Sequence, residues 1–447
     1  MDIAPKQVNQ ALEALWAAGF AAYPVGGCVR DGLLGKTPLD WDICTSARPE
    51  ETAALFAPFR VIETGMKHGT VTVLIDGRAM EITTFRTEQG YSDSRHPDEV
   101  AFVRRLDDDL ARRDFTVNAM VYDRDGSVID RFGGQADLAA GLIRCVGEPA
   151  RRFGEDALRI LRALRFAATL DFQVEPETAS AAHRQRELLL KISPERIFSE
   201  LTGLLCGVAA GRILREFSDI IFTVVPELAP EYNFRQHSPY HIHDVWTHTT
   251  MAVNTTPPEN ALRLAMLFHD AGKPETFFLD DKGVGHFYGH ADAGAAIADR
   301  ALRRLRCDNA TRQEVVFLIR HHDAPPPQTE KSARRLLIKL GDSACRKLIS
   351  CWRADSGDRA DDVRERNLAA FSQTERLIED LLARESCFSL RDLAVSGKDL
   401  LALGMTSGPD VGRVLEALFC EVTEKGVSND RETLLPLAEK FISGGIN

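Results

Sequence analysis

The stretch VGGCVRDGLLGKTPLDWDICT, Val25 to Thr45, decides how the first third of this chain folds. Its last eight residues, PLDWDICT, place two aspartates one residue apart inside an otherwise apolar segment. Side chains alternate across a strand, so Asp40 and Asp42 are expected on one face. Two strand rises would separate their carboxylates by roughly 6–7 Å. Desolvated like charges that close repel, and one takes up a proton unless a cation lies between them. On the octapeptide alone, a turn or a solvated strand face is the simpler reading. The residues around it sharpen the case for a cation.

Gly26 and Gly27 let the backbone approach a ligand, and the helix after them, expected to stop at Gly35, offers free N–H groups at its start. Arg30 falls on its first turn, well placed for a phosphate. Taken singly, the glycines make a turn and the arginine a surface charge. Together with a same-facing acid pair they suit Mg²⁺, which is normally held by one or two carboxylates plus substrate phosphates. Two ions shared by Asp40 and Asp42 would serve nucleotidyl transfer, one acidifying an attacking 3′-hydroxyl and the other steadying pyrophosphate. Glu81 either adds a third carboxylate or is an acid on the exposed face of an edge strand.

Outward from this stretch, Gln7 to Phe20 has the pattern of an amphipathic helix, and another helix is expected from Pro49 to Phe56. VTVLIDG and MEITTF alternate like a hairpin turning at Asp76-Gly77. From Glu155 onward strand signals nearly vanish and helix follows helix. Pro-containing breaks at residues 229–241 and 323–328 mark boundaries. The chain has 447 residues, enough for several domains, and its net charge of −11 argues against a nucleic-acid-coated surface. Local basic clusters such as Arg159, Arg162 and Arg165 still allow one phosphate backbone to be gripped. Nine scattered cysteines without a CxxC pair fit a reducing cytoplasm. No secretory leader is expected, and no apolar run is long enough for a membrane span.

Two further segments carry chemistry. DLARRDFTVNAM, Asp109 to Met120, sets Arg113 and Asp114 beside an apolar run, with Asn118 offering an amide to a ribose or base. EDALRILRALRF spaces Asp156, Arg159, Arg162 and Arg165 three apart, along one flank of an expected helix, with Leu158, Leu161 and Leu164 facing inward. An Asp–Arg pair at this spacing is commonly surface electrostatics. It also has the acceptor–donor logic of a base edge.

VGGCVRDGLLGKTPLDWDICT, RRDFTVNAM and EDALRILRALRF resemble, in order and spacing, the signatures of class II tRNA nucleotidyltransferases and bacterial poly(A) polymerases. The resemblance implies a nucleotidyltransferase head and a helical neck. It implies that Asp40 and Asp42 hold Mg²⁺, and that Gly27, Arg30 and Arg113 contact the nucleotide. Asp156, Arg159, Arg162 and Arg165 match neck residues that select CTP and then ATP without a template. Residues 66–102, including the polar YSDSRHP loop, resemble the CCA-adding branch, which extends the 3′ end of tRNA. The poly(A) polymerases carry a basic run where this chain has HGTV, and remain the alternative.

Most of the twelve histidines lie in the middle of the chain. His248, His269-Asp270 and Asp323 resemble the ligand pattern of HD-type phosphohydrolases, which implies a second divalent transition metal. An HD phosphohydrolase with an RNA-binding head is therefore a further alternative, and a silent or structural metal site another. The expected fold is α+β. A mixed-sheet head spans residues 1–148 and a helical neck 149–228. An HD-type helical domain spans 229–328, and a helical tail 329–447 either binds tRNA or simply packs.

Overall fold

The computed structural model describes residues 4–89, 99–238, 242–359, 361–384 and 387–444. The polar loop YSDSRHP, residues 91–97, lies outside them. Nine strands occupy the head: β1 (Ala22–Val25), β2 (Asp42–Thr45), β3 (Arg60–Ile62), β4 (Thr70–Ile75), β5 (Arg78–Thr84), β6 (Arg86–Gln89), β7 (Glu99–Phe102), β8 (Met120–Tyr122) and β9 (Val128–Asp130). Seven form one mixed sheet in the order β3-β4-β5-β2-β1-β8-β9, while β6 and β7 pair separately. The β4–β5 hairpin turns at Asp76 and Gly77, whose φ angles of 47° and 80° match a two-residue turn twisted like its strands. Along β4, Val71, Val73 and Ile75 are buried in alternation.

β2 lies between β1, which it pairs antiparallel, and β5, which it pairs parallel. That central place explains its apolar Ile43 and Cys44, both fully buried. Asp42 is the first residue of β2, in register with Glu81 on β5. Asp40 precedes the strand, so the two acids are not neighbours on one strand face as expected.

After the head the fold is helical, with two-residue ladders only at Leu142–Ile143 with Gln173–Val174 and Phe278–Leu279 with Gly285–His286 among the described residues. The expected helix through Asp156 is broken there. The Pro149–Glu155 helix ends, Asp156 turns extended at φ −137° and ψ 105°, and its Oδ1 accepts from the Leu158 N–H at 3.0 Å. The next helix runs Leu158–Leu170. A short acid that caps the following turn ends one helix and begins another. Leu158, Leu161 and Leu164 are buried as their spacing demands.

One continuous apolar cluster runs from Val8 in the head to Leu381 in the Asp361–Arg384 helix. A separate small cluster, Cys387 to Ala438, holds the last helices. Phe115 joins head to neck: it is fully buried, and its ring meets Phe166 edge-on at 5.8 Å. Phe115→Ala should therefore lower stability by about 3–5 kcal/mol. A urea titration showing a change under 1 kcal/mol would refute this coupling.

Candidate active site

The Gly27–Leu33 helix starts at a turn in which Gly26 has φ 80°. A Cβ there would lie 3.3 Å from Nη1 of Arg113, so backbone shape and close approach both require glycine. This turn forms one wall of a 380 Å³ cleft. Asp40 and Asp42 line it together with Arg30, Arg113, Asp114, Asn118, Arg162 and Phe166. The cleft thus gathers Gly27, Arg30, Asp40, Asp42, Arg113 and Arg162 from the expected set. Asp156, Arg159 and Arg165 are not on its wall.

Its electrostatics divide into two halves. Asp42 opens to the cleft, and its pKa is raised by burial first, then by Glu81 and Asp40, against the pull of Arg113. Two acids facing one cleft, with protonation of Asp42 favoured by its surroundings, fit a site made for a cation. Opposite stands a cationic half. Arg113 is half-buried, donates to Asp109 at 3.3 Å, and keeps a buried Nε with no partner. Asp109 remains ionised because Arg113 and Arg112 outweigh the penalty of burying it.

Asp114 organises the rest. Its Oδ2 accepts from Nε and Nη2 of Arg162 at 2.9 and 2.7 Å. Its Oδ1 accepts from the Phe115 N–H at 2.8 Å and from Asn118 Nδ2 at 3.3 Å. Asn118 Oδ1 in turn accepts from Arg30 Nη1 at 2.7 Å. Burial works against the Asp114 charge, yet Arg162 and then Arg159 bring its pKa down to about 2. Beneath these groups the Phe166 ring carries three guanidiniums, those of Arg165, Arg30 and Arg162 at 4.4, 5.2 and 5.4 Å.

The other neck residues are engaged elsewhere. The Asp156 carboxylate accepts from Arg196 at 2.9 Å. Arg159 donates to Glu155 at 2.8 Å and to the Arg152 and Arg112 carbonyls, both at 3.1 Å. Arg165 donates to Glu200 at 2.5 Å. Phe166, Asp109 and Glu200 were missed as site residues. Phe166 had a signal, since it follows Arg165 directly and sits four residues beyond Arg162.

A second constellation lies in the helical body. Nε2 of His248 and of His269 approach to 3.1 Å, with Asp355 Oδ1 at 3.0 Å from His248 and 3.5 Å from His269. Asp270 completes this group, and Asp270 also belongs to a second one with His290 and His322. Asp323, expected as the fourth ligand, lies in neither group; Asp355, from the helix Asp342–Asp355, stands in that role. Among the described residues these are the two sets of three or more such donors drawn within 4.8 Å, and the Asp40–Asp42 pair forms no such set.

Comparison with known proteins agrees with this geometry. Residues 22–144 match the poly A polymerase head domain, and residues 240–346 the HD domain. Residues 171–230 match a model named for an RNA-binding site of polymerase A, and residues 296–438 one described as tRNA nucleotidyltransferase domain 2. A CCA-adding enzyme of Lactobacillus helveticus is 50% identical over 221 residues, 49% of this chain and 54% of the relative. One of Streptococcus suis is 49% identical over 229 residues, 50% of this chain and 56% of the relative. The chain thus spans about half the length of the curated relatives it matches. The crystal structure of a Bacillus stearothermophilus CCA-adding enzyme in complex with CTP superposes with a TM-score of 0.70 at 29% identity, covering 98% of each chain. The α+β architecture, a mixed-sheet head followed by a helical body, is therefore shared with that CCA-adding enzyme. Among the described residues no helix is long and apolar enough to cross a membrane.

The low pKa of Asp114 has a testable sign. A depressed carboxyl stabilises the fold above its unfolded pKa, and that contribution fades as pH falls toward about 2. It should amount to about 2 kcal/mol at pH 6, with about half gone by pH 3. Urea unfolding of wild type and Asp114→Asn between those pH values checks this: the two stabilities should converge on acidification, and parallel curves would disprove it.

Proposed function

We propose, from a chain whose head is of the poly A polymerase type and whose body carries an HD domain, that it adds CMP and AMP to the 3′ end of tRNA without a template. The observation that carries this reading is the cleft itself: two acids facing an arginine-lined wall across a glycine turn. Asp40 and Asp42 would hold Mg²⁺. Bound there, the metal would acidify the 3′-hydroxyl and neutralise the departing pyrophosphate.

The protein's own groups would do the rest. The N–H groups at the start of the Gly27–Leu33 helix face a phosphate, joined by Arg30. Arg113, with its unused Nε, takes a further phosphate oxygen. Arg162, held by Asp114 and laid against Phe166, meets phosphate or ribose without first having to be ordered. The 3′-hydroxyl attacks the α-phosphate in line and pyrophosphate leaves. Asp156 and Arg159 are assigned to the incoming base. Their present partners, Arg196 and Glu155, hold them at the start of the Leu158–Leu170 helix until a base edge takes over. Arg165, anchored by Glu200, lies against the Phe166 ring.

Head (1–148), neck (149–228), HD-type domain (229–328) and tRNA-binding tail (329–447) remain the working division, and the cytoplasm the expected location. The relatives named as CCA-adding enzymes favour this reading over a poly(A) polymerase.

Asp40→Asn with Asp42→Asn should lower nucleotide incorporation at least about a thousandfold, the several kcal/mol of transition-state charge stabilisation lost, with an unchanged circular dichroism spectrum. Retained transfer in that double variant would remove the metal assignment. The substrate is decided by incubating tRNA that lacks its last three nucleotides with CTP, ATP or both, then sequencing the 3′ end. Addition of CC from CTP and of A after it is expected, whereas an A tract from ATP alone would make the chain a poly(A) polymerase.

A further inference from the structure

The geometry points to a phosphate-binding site in a second cleft of the head, at the end of β2 away from the acid pair. β2 begins with Asp42 on the first cleft and ends at Thr45, and Ser46, the next residue, lines the second. The two clefts share no lining residue. The second has a volume of 240 Å³, and Ser46, Arg48, Glu51, Thr84 and Arg104 are on its wall.

Its two arginines come from separate elements. Arg48 stands just before the Pro49–Leu55 helix, and Arg104 follows β7. The Val103 N–H donates to the Phe85 carbonyl at 2.9 Å, and the Phe85 N–H to the Thr45 carbonyl at 2.7 Å. These bonds hold the chain entering Arg104 against the end of β2. Neither Arg48 nor Arg104 forms an ion pair among the described residues, whereas the adjoining Arg105 pairs with Asp107 at 3.6 Å. Among the described residues Glu51 is the one acid on the wall. Its Oε2 accepts from the Arg48 N–H at 2.7 Å, so backbone engages it rather than a guanidinium.

Ser46 adds a hydroxyl. Its Oγ accepts from the Ala21 N–H at 2.9 Å, which leaves the hydroxyl proton to donate. Thr84 already donates to the Ala47 carbonyl at 2.7 Å and serves as wall. Forked guanidinium donors from two sides, with a hydroxyl between elements, match an anion that has several acceptor oxygens, as phosphate has.

Size narrows the ligand further. Pockets that enclose a whole small molecule run about 300–1,000 Å³. This cleft is smaller and takes one phosphate group with its waters rather than an entire nucleotide. Such a group comes from an RNA backbone or from free phosphate. A chain of net charge −11 cannot hold a polyanion by diffuse attraction and depends on discrete cation sites. β2 is four residues long, roughly 10 Å, so an RNA strand with its 3′ end among the acids is long enough to meet both clefts. That use rests on the tRNA substrate proposed above, while the site itself rests on charge and shape.

The test compares wild type, Arg48→Gln with Arg104→Gln, and Glu51→Gln, each as the full chain. Both arginines are exposed, so the double variant should keep the wild-type circular dichroism spectrum. Binding of tRNA that lacks its last three nucleotides is measured across a salt series. The double variant should bind at least about fivefold more weakly at about 50 mM salt, with a slope of log K against log salt shallower by about 1. Glu51→Gln keeps an acceptor for the Arg48 N–H while removing the charge, and should bind more tightly than wild type. Calorimetric titration with inorganic phosphate covers the other source. Loss of phosphate binding in the double variant, with an unchanged tRNA slope, assigns the cleft to free phosphate. Identical tRNA slopes and identical phosphate titrations in wild type and double variant would overturn the site. A wild type that binds no tRNA contradicts the function proposed above, and the phosphate titration then decides the site alone.

Discussion

One buried carboxylate fastens the head to the neck at the cleft. Asp114 comes from the head, its main partner Arg162 from the neck helix, and the bond between them is bidentate at one oxygen. Removing Arg162 leaves the buried Asp114 charge without its main partner, which typically costs about 3–5 kcal/mol. The tether does more than stabilise. It fixes Arg162 over Phe166, and through Asn118 it fixes Arg30 as well. The positions of Arg162 and Arg30 therefore depend on a residue that accepts hydrogen bonds on both oxygens.

The hairpin, the helix after Gly26 and the buried leucines of the neck were legible because each rests on local chemistry: turn residues, a left-handed glycine and helical spacing. What escaped depended on contacts between distant parts of the chain. Asp40 and Asp42 share the cleft, but Asp40 precedes the strand, and alternation along a strand says nothing about its flanks. Asp156 breaks a helix whose apolar spacing continues past it. Asp355 takes the role expected of Asp323 because it closes on His248 across 107 positions, a distance that spacing near a His-Asp pair cannot reveal. The role of Glu200, likewise, exists only once Arg165 is seen against it.

The acids of the cleft and the histidine cluster of the body differ in donor chemistry. In the head, open carboxylates without imidazole favour a hard ion that retains waters and accepts phosphates. In the body, rings are locked by carbonyls and buried, an arrangement that favours softer ions held more permanently. Both centres stand on the same continuous apolar cluster, so each is positioned by packing shared with the other.

The last helices are built otherwise. Their apolar residues, from Cys387 to Ala438, close on one another and form a core of their own. A unit with its own core opens by its own equilibrium. Amide protons of the Pro409–Lys425 and Arg431–Gly444 helices should thus exchange with solvent in a common step, earlier than those of the Leu158–Leu170 helix. These helices can loosen without disturbing the apolar cluster that carries the cleft.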